Sequence, residues 1–170
     1  MKTRPPVVWI TGLSASGKTT LARSLAAALA ARGSEVEVLD GDDIRGLFPG
    51  TGFSRDERDA HVCRVGFLAS KLQKNGIWVI SSLISPYEES RRFVRGLCDP
   101  FIQVYLSTPL AECERRDPKG LYRKARRGEI EHFTGVNDPY EPPARTEIVI
   151  DTTFVLPEDA ARIVLENIDA

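Results

Sequence analysis

The run Gly12-Leu13-Ser14-Ala15-Ser16-Gly17-Lys18-Thr19 constrains this chain more than any other feature. It fits G-x-x-x-x-G-K-[ST], a loop whose backbone cradles the phosphates of a nucleoside triphosphate. The apolar stretch Val7-Val8-Trp9-Ile10 before it reads as a buried strand, and the alanines and leucines of Thr20 to Arg32 read as a helix. Gly12 and Gly17 allow the tight turn between them. That turn brings backbone N–H groups close to phosphate oxygens and aims the positive end of the new helix at the same oxygens. Lys18 reaches the β- and γ-phosphates, and the Thr19 hydroxyl can ligate Mg²⁺. Thr20 completes the nucleotide-binding run. A ligand-free glycine-rich turn accounts poorly for a motif and a context that agree. The motif therefore implies ATP and Mg²⁺, and leaves the phosphoryl acceptor open.

The rest of the chain supplies the frame such a loop needs. At 170 residues it is long enough for one domain, 1–170, with a substantial core. Its net charge of −1 points away from nucleic-acid and anionic-membrane partners. Cys63, Cys98 and Cys113 have neither disulfide-scaffold nor zinc spacing, which suits a reducing cytoplasm. Met1 to Pro6 does not read as a signal peptide, and no stretch approaches the length of a membrane span. Strand-like runs at Val7–Ile10, Glu35–Leu39, Ile77–Ser81, Phe101–Leu106 and Glu147–Ile150 alternate with helical patterns. Those patterns cover Thr20–Arg32, Arg55–Lys74, Glu88–Gly96, Leu110–Arg116 and Glu158–Ile168. This alternation predicts a three-layer α/β/α fold around a mainly parallel five-stranded sheet. Ligands of such sheets lie beyond the carboxyl ends of the strands.

The loops at those ends carry chemistry. In Asp40-Gly41-Asp42-Asp43-Ile44-Arg45, one carboxylate could orient Mg²⁺ and another accept a proton from an attacking hydroxyl. The same run could equally begin a helix. Ser85, before Pro86 at a strand exit, reads as a substrate contact, a nucleophile or a plain turn. The segment from Asp117 to Arg145 is strongly basic at first and then turn-rich. It reads as a lid, approximately 117–145, that would neutralise a phosphoryl group and exclude water, or else as a solvated basic helix. Phe133 and Phe53 sit in polar, turn-rich loops, where an aromatic forms a satellite core or a platform for a base.

Taken in order, GLSASGKTT (12–20), LDGDDIR (39–45), Gly52-Phe53-Ser54, Ile84-Ser85-Pro86-Tyr87 and RDPKGLYRKARRGEIEHFT (116–134) resemble adenylylsulfate kinases over nearly the whole chain. The phosphate loop is common to many families, whereas the ISPY and KGLYRKAR stretches are far more specific. The resemblance implies a P-loop kinase that moves the γ-phosphoryl of ATP to the 3′-hydroxyl of adenosine 5′-phosphosulfate (APS). It implies a catalytic set of Lys18, Asp42 and Ser85, with Asp42 as base or metal organiser. Ser85 is described in that family as a phosphoserine, although in-line transfer needs only positioning and charge neutralisation, which favours a binding role. Arg45, Arg58, Ile84 and Ser85 would contact the acceptor, Phe53 and Phe133 would stack about its adenine, and His132 and Lys119 would border it. A homodimer is compatible with the resemblance. The family's Asn-Ile-Arg-Arg is His61-Val62-Cys63-Arg64 here, so His61 stands where an Asn would touch the acceptor. A kinase for another nucleotide-like acceptor and a non-catalytic nucleotide-binding regulator are the alternatives.

Overall fold

The computed structural model describes residues 4–169. Its elements in chain order are β1 (Val7–Gly12), α1 (Lys18–Ala31), β2 (Val36–Asp40), α2 (Gly41–Gly46), α3 (Arg55–Lys74) and β3 (Trp78–Ser82). They continue with α4 (Glu88–Leu97), β4 (Phe101–Leu106), α5 (Leu110–Arg116), α6 (Leu121–Arg126), β5 (Ile148–Ile150) and α7 (Pro157–Ile168). The five strands form one parallel sheet in the order β2-β3-β1-β4-β5.

β1 lies in the middle, which explains its unbroken apolar run. Successive strand side chains point to opposite faces, and here both faces are covered. Val8 and Ile10 join Leu21, Leu25 and Leu29 of α1 and Val164 and Leu165 of α7 on one side. Val7 and Trp9 join Val62, Val65 and Ala69 of α3 and Val94 of α4 on the other. No helix among the described residues is long and apolar enough to cross a membrane.

Every strand and helix read from the sequence is present, with ends shifted by a few residues. Two short helices are additional. α2 begins where the Asp40 carboxylate accepts the Asp42 N–H at 2.9 Å, so the acidic run both caps a helix and faces the site. α6 begins where the Asp117 carboxylate accepts the Tyr122 and Arg123 N–H groups at 3.0 and 3.1 Å. Each is six residues long. That is too short for a 3.6-residue hydrophobic period to declare itself.

The packing of α3 on α4 depends on one small residue. A Cβ built on Gly66 would overlap the Val94 side chain, which is fully buried. Gly66→Ala is therefore expected to destabilise the protein by about 1–3 kcal/mol in urea unfolding, as overpacked cores do. Adding Val94→Ala should recover part of that loss, and an unchanged midpoint in the single variant would contradict this packing.

Candidate active site

The phosphate loop is shaped by residues remote from it in sequence. Ala15 and Gly17 take left-handed backbone angles, φ 60° and 98°. Four carbonyls of the loop are each engaged by a side chain. The Leu13 carbonyl accepts from Lys18 Nζ at 2.6 Å and that of Ser14 from the Tyr122 hydroxyl at 2.9 Å. The Ala15 carbonyl accepts from Arg116 Nη1 at 3.4 Å, and the Ser16 carbonyl from Thr152 Oγ1 at 2.8 Å. In a trans peptide the N–H points opposite to the C=O. Holding the Ser14 and Ser16 carbonyls toward Tyr122 and Thr152 therefore turns the Ala15 and Gly17 amide hydrogens the other way, while the Ser16 N–H donates to the Leu13 carbonyl at 3.2 Å.

Two further observations suit an anion here. α1 is a 14-residue helix whose N-cap, Gly17, offers no side-chain cap to the first N–H groups. Ser16 Oγ is buried with no hydrogen-bond partner. Lys18 is only 9% exposed, and burial pushes its ammonium down to about 8. Thr20 stands exposed on the first turn of α1.

Thr19 Oγ1 donates to Asp40 Oδ2 at 2.9 Å and lies 3.3 Å from Ser82 Oγ. These are hard oxygen donors, the kind Mg²⁺ takes alongside waters and substrate phosphates. The set thus fits Mg²⁺ beside the phosphates. Sequence alone assigns Thr19 to the metal but singles out Asp42 and not Asp40. Strand register is the missing signal. Asp40 ends β2 opposite Ser82 of β3, and so comes beside α1 although β3 separates β2 from β1.

Asp42 faces solvent on α2, and Lys119 Nζ reaches it at 2.8 Å. Partial burial works against its carboxylate, but Lys119, Lys18 and Arg45 outweigh it and hold the group below the usual range. Asp42 is therefore ionised at neutral pH and lies between the cation of the phosphate loop and the cation of the following basic segment.

Beyond α2 lies a cluster of two guanidiniums about one aromatic ring. The Phe53 ring is half exposed, with Arg45 4.6 Å and Arg58 5.3 Å from its centroid. Arg45 Nη1 also donates to the Gly52 carbonyl at 2.5 Å. Glu57 Oε2 accepts from the Ser54 N–H and hydroxyl at 3.0 and 2.6 Å, while Oε1 accepts from the Gly52 N–H at 3.1 Å. Glu57 thereby fixes the turn that presents Phe53. Arg58, almost fully buried, donates through Nε to the Phe53 carbonyl at 2.8 Å and through Nη2 to the His132 carbonyl. It ties together the two loops that bear aromatics.

Several residues sit differently from their sequence-based roles. Phe133 is buried edge-to-face on Tyr122 (centroids 4.9 Å apart, 80° between planes) in a satellite core with Cys113 and Ala125. His132 has a positive φ of 55°, and its Nδ1 is 3.3 Å from Asp138 Oδ1. His61 is not a ring open to solvent. It is 2% exposed behind α2, with Nε2 3.0 Å from the Gly41 carbonyl. Burial first, then Arg45, lowers its pKa and keeps it neutral. Ser85 does not present a nucleophile. It is 2% exposed, and its hydroxyl accepts from Trp9 Nε1 at 3.1 Å in the core. Ile84, next to it, has its carbonyl bonded by the Thr11 hydroxyl at 2.7 Å.

The basic segment is also less of a free positive field than its composition suggests. Arg123 pairs with Asp117, Arg126 with Glu114, and Arg127 with Glu129. Arg115 and Arg116 share Glu112, and Arg116 also donates to the Thr152 carbonyl at 2.9 Å. Lys119 is the cation of this segment that crosses to Asp42.

Lys119 and Arg45 thus flank the Asp42 carboxylate near the phosphate-binding loop, and the Phe53 ring lies against Arg45 and Arg58. A family model described as adenylylsulphate kinase matches residues 4–151. An adenylyl-sulfate kinase from Microcystis aeruginosa is 47% identical over 165 residues, covering 96% of this chain and 91% of its own. One from Gloeothece citriformis is 44% identical over 170 residues, covering 99% and 97%. The solved Mycobacterium tuberculosis APS kinase, in complex with AMPPNP and APS, superposes with a TM-score of 0.94 at 39% identity, over 98% of this chain and 99% of its own. Sequence, fold and site geometry agree: this chain belongs to the adenylylsulfate kinase family.

Proposed function

We propose that the protein transfers the γ-phosphoryl group of ATP to the 3′-hydroxyl of APS, yielding 3′-phosphoadenosine 5′-phosphosulfate and ADP, as one kinase domain with a lid at about residues 117–145. The observation that carries this reading is the position of Asp42. It lies within electrostatic reach of Lys18 on the donor side, and it bonds Lys119 of the lid and neighbours Arg45 on the acceptor side. The M. tuberculosis relative was solved with AMPPNP, an ATP analogue, together with APS, which supports the same pair of substrates.

The residues act by position and charge. The loop from Gly12 to Thr19 holds the ATP phosphates through backbone N–H groups, and Lys18 bonds the oxygens on which charge builds up during transfer. Thr19 and Asp40 would hold Mg²⁺, which when bound neutralises the β- and γ-phosphate oxygens. On the acceptor side Arg45 and Arg58 meet the anionic nucleotide, and Phe53 offers a face to its adenine. Asp42 accepts a hydrogen bond from the attacking 3′-hydroxyl and orients it in line. Its lowered pKa suits orientation more than full proton removal before transfer. Lys119 leaves Asp42 for the transferring group as the lid closes. His61 supports the Gly41 carbonyl beneath Asp42 and does not itself grip the acceptor. Ser85 shapes the pocket without becoming phosphorylated.

A coupled assay that follows ADP release, run with APS and with other nucleotides bearing a free 3′-hydroxyl, tests this reading. Turnover with APS and with none of the others is expected. Turnover with another acceptor and none with APS would reject it. Phe53→Ala removes an exposed ring at little cost to the core. It is expected to raise KM for APS about 30-fold, the middle of the ~1–3 kcal/mol carried by one base stack, and to leave KM for ATP within about twofold. A homodimer is part of this proposal and is checked by light scattering.

A further inference from the structure

The Ile84–Ser85 turn is strained, and several interactions converge to keep it so. Ser85 has φ 39°, in the left-handed region that residues with a Cβ avoid. Such a conformation persists only where its surroundings over-determine it. Trp9 Nε1 bonds the Ser85 hydroxyl, and the buried Arg91 donates from Nη1 to the Ser85 carbonyl at 2.6 Å.

A third hold comes from far along the chain. The segment that returns from the lid lies against this turn. The Glu141 N–H donates to the Pro86 carbonyl at 2.8 Å, and the Glu141 carbonyl accepts from Arg91 Nη2 at 2.6 Å. Glu141 Oε2 accepts the Glu88 N–H at 2.8 Å at the start of α4. Tyr140 stacks on Tyr105 (centroids 5.9 Å apart, 16° between planes), and its hydroxyl is 2.9 Å from Thr11 Oγ1. The Thr11 hydroxyl proton is committed to the Ile84 carbonyl, which can only accept. Tyr140 is therefore the donor to Thr11, and the relay runs Tyr140 O–H to Thr11 O–H to Ile84 C=O.

We propose that Tyr140 is a positioning residue for the acceptor nucleotide. Acting through Thr11, it holds the Ile84–Ser85 turn in its strained form and couples the foot of the lid to the acceptor pocket. Thr11 immediately precedes Gly12, so the same relay fixes this turn relative to the phosphate loop. Tyr140 touches neither substrate in this scheme. Its effect is to have the acceptor wall formed before the acceptor arrives, which lowers the ordering cost of binding. This inference rests on the reading of Ile84 and Ser85 as acceptor-pocket residues.

Tyr140→Phe keeps the stack on Tyr105 and deletes only the hydroxyl. It is expected to raise KM for APS about fivefold, the worth of one hydrogen bond, with kcat and KM for ATP changed less than about twofold. Thr11→Val should raise KM for APS at least as much, and Thr11→Ser should restore it. The double variant Thr11→Val/Tyr140→Phe should be no worse than Thr11→Val alone, because both cut one relay. A merely structural role would instead lower thermal stability and depress kcat while disturbing KM for both substrates together. Unchanged KM for APS in Tyr140→Phe and Thr11→Val, beside a raised value in Phe53→Ala, would overturn the relay alone. Unchanged KM for APS in all three would overturn the acceptor-pocket reading itself.

Discussion

Lys18→Met is expected to lower kcat by about 10²–10³-fold, the cost of losing one preorganised donor to transition-state charge, with a smaller change in KM for ATP. The same variant is expected to make the nucleotide-free protein more stable. The Lys18 ammonium is buried, and among the described residues it donates one hydrogen bond, to the Leu13 carbonyl at 2.6 Å. Its proton is held at about 8 in place of 10.5 because burial penalises the charge. Met keeps the stem's packing and removes that penalty, which the shift sets at about 3 kcal/mol. The sign with pH follows from proton counts. Between about pH 8 and 10.5 the unfolded chain carries this proton and the folded chain has lost it, so stability from this group rises with pH across that window. Below about 8 both states are protonated and the full penalty applies. Urea unfolding at about pH 7 and about pH 10 checks both points. Wild type should gain stability relative to Lys18→Met at the higher pH. A variant less stable than wild type at neutral pH would show that the ammonium is not under strain.

Arg58→Ala is expected to raise KM for APS about 10²-fold and to change KM for ATP little. Two hydrogen bonds from a guanidinium, at about 1.5–3 kcal/mol each, reach that size even at the lower limit. The residue matters because of what it joins. Its Nε holds the Phe53 carbonyl and its Nη2 the His132 carbonyl, so its loss frees both aromatic-bearing loops at once. Arg58→Lys should recover little, since a single ammonium cannot span two carbonyls as a planar fork does. Steady-state kinetics with each substrate varied in turn settles the matter. A KM for APS within about twofold of wild type in Arg58→Ala would remove Arg58 from the acceptor site.

The parts of this molecule legible in the sequence are those with local causes. β1 announces itself because a central strand buried on both faces must be apolar throughout, and the glycines after it because only a tight turn joins such a strand to a helix. α3 matches at both ends the helical pattern read over Arg55–Lys74. What escapes has causes elsewhere in the chain. Asp40 acquires its place beside Thr19 from strand register, which no local pattern encodes. The arginines of 115–127 look like an unpaired positive field because three of their carboxylates, Glu112, Glu114 and Glu129, lie just outside that stretch and only the fold pairs them. His61 and Ser85 take their acceptor-facing roles from the resemblance, which carries over positions and not burial. In three dimensions each is engaged by a backbone or core partner.

The anchoring of the glycine-rich loop by Arg116, Tyr122 and Thr152 has a consequence for biosynthesis. Each anchor leaves the ribosome long after the carbonyl it holds, by 101, 108 and 136 residues respectively. A nascent chain that stops short of residue 116 contains the whole nucleotide motif and none of these three distant supports. One that stops before Phe101 also lacks β4, the strand that flanks β1 on the side away from β3. The hold on these loop carbonyls is therefore complete only once residue 152 has been made.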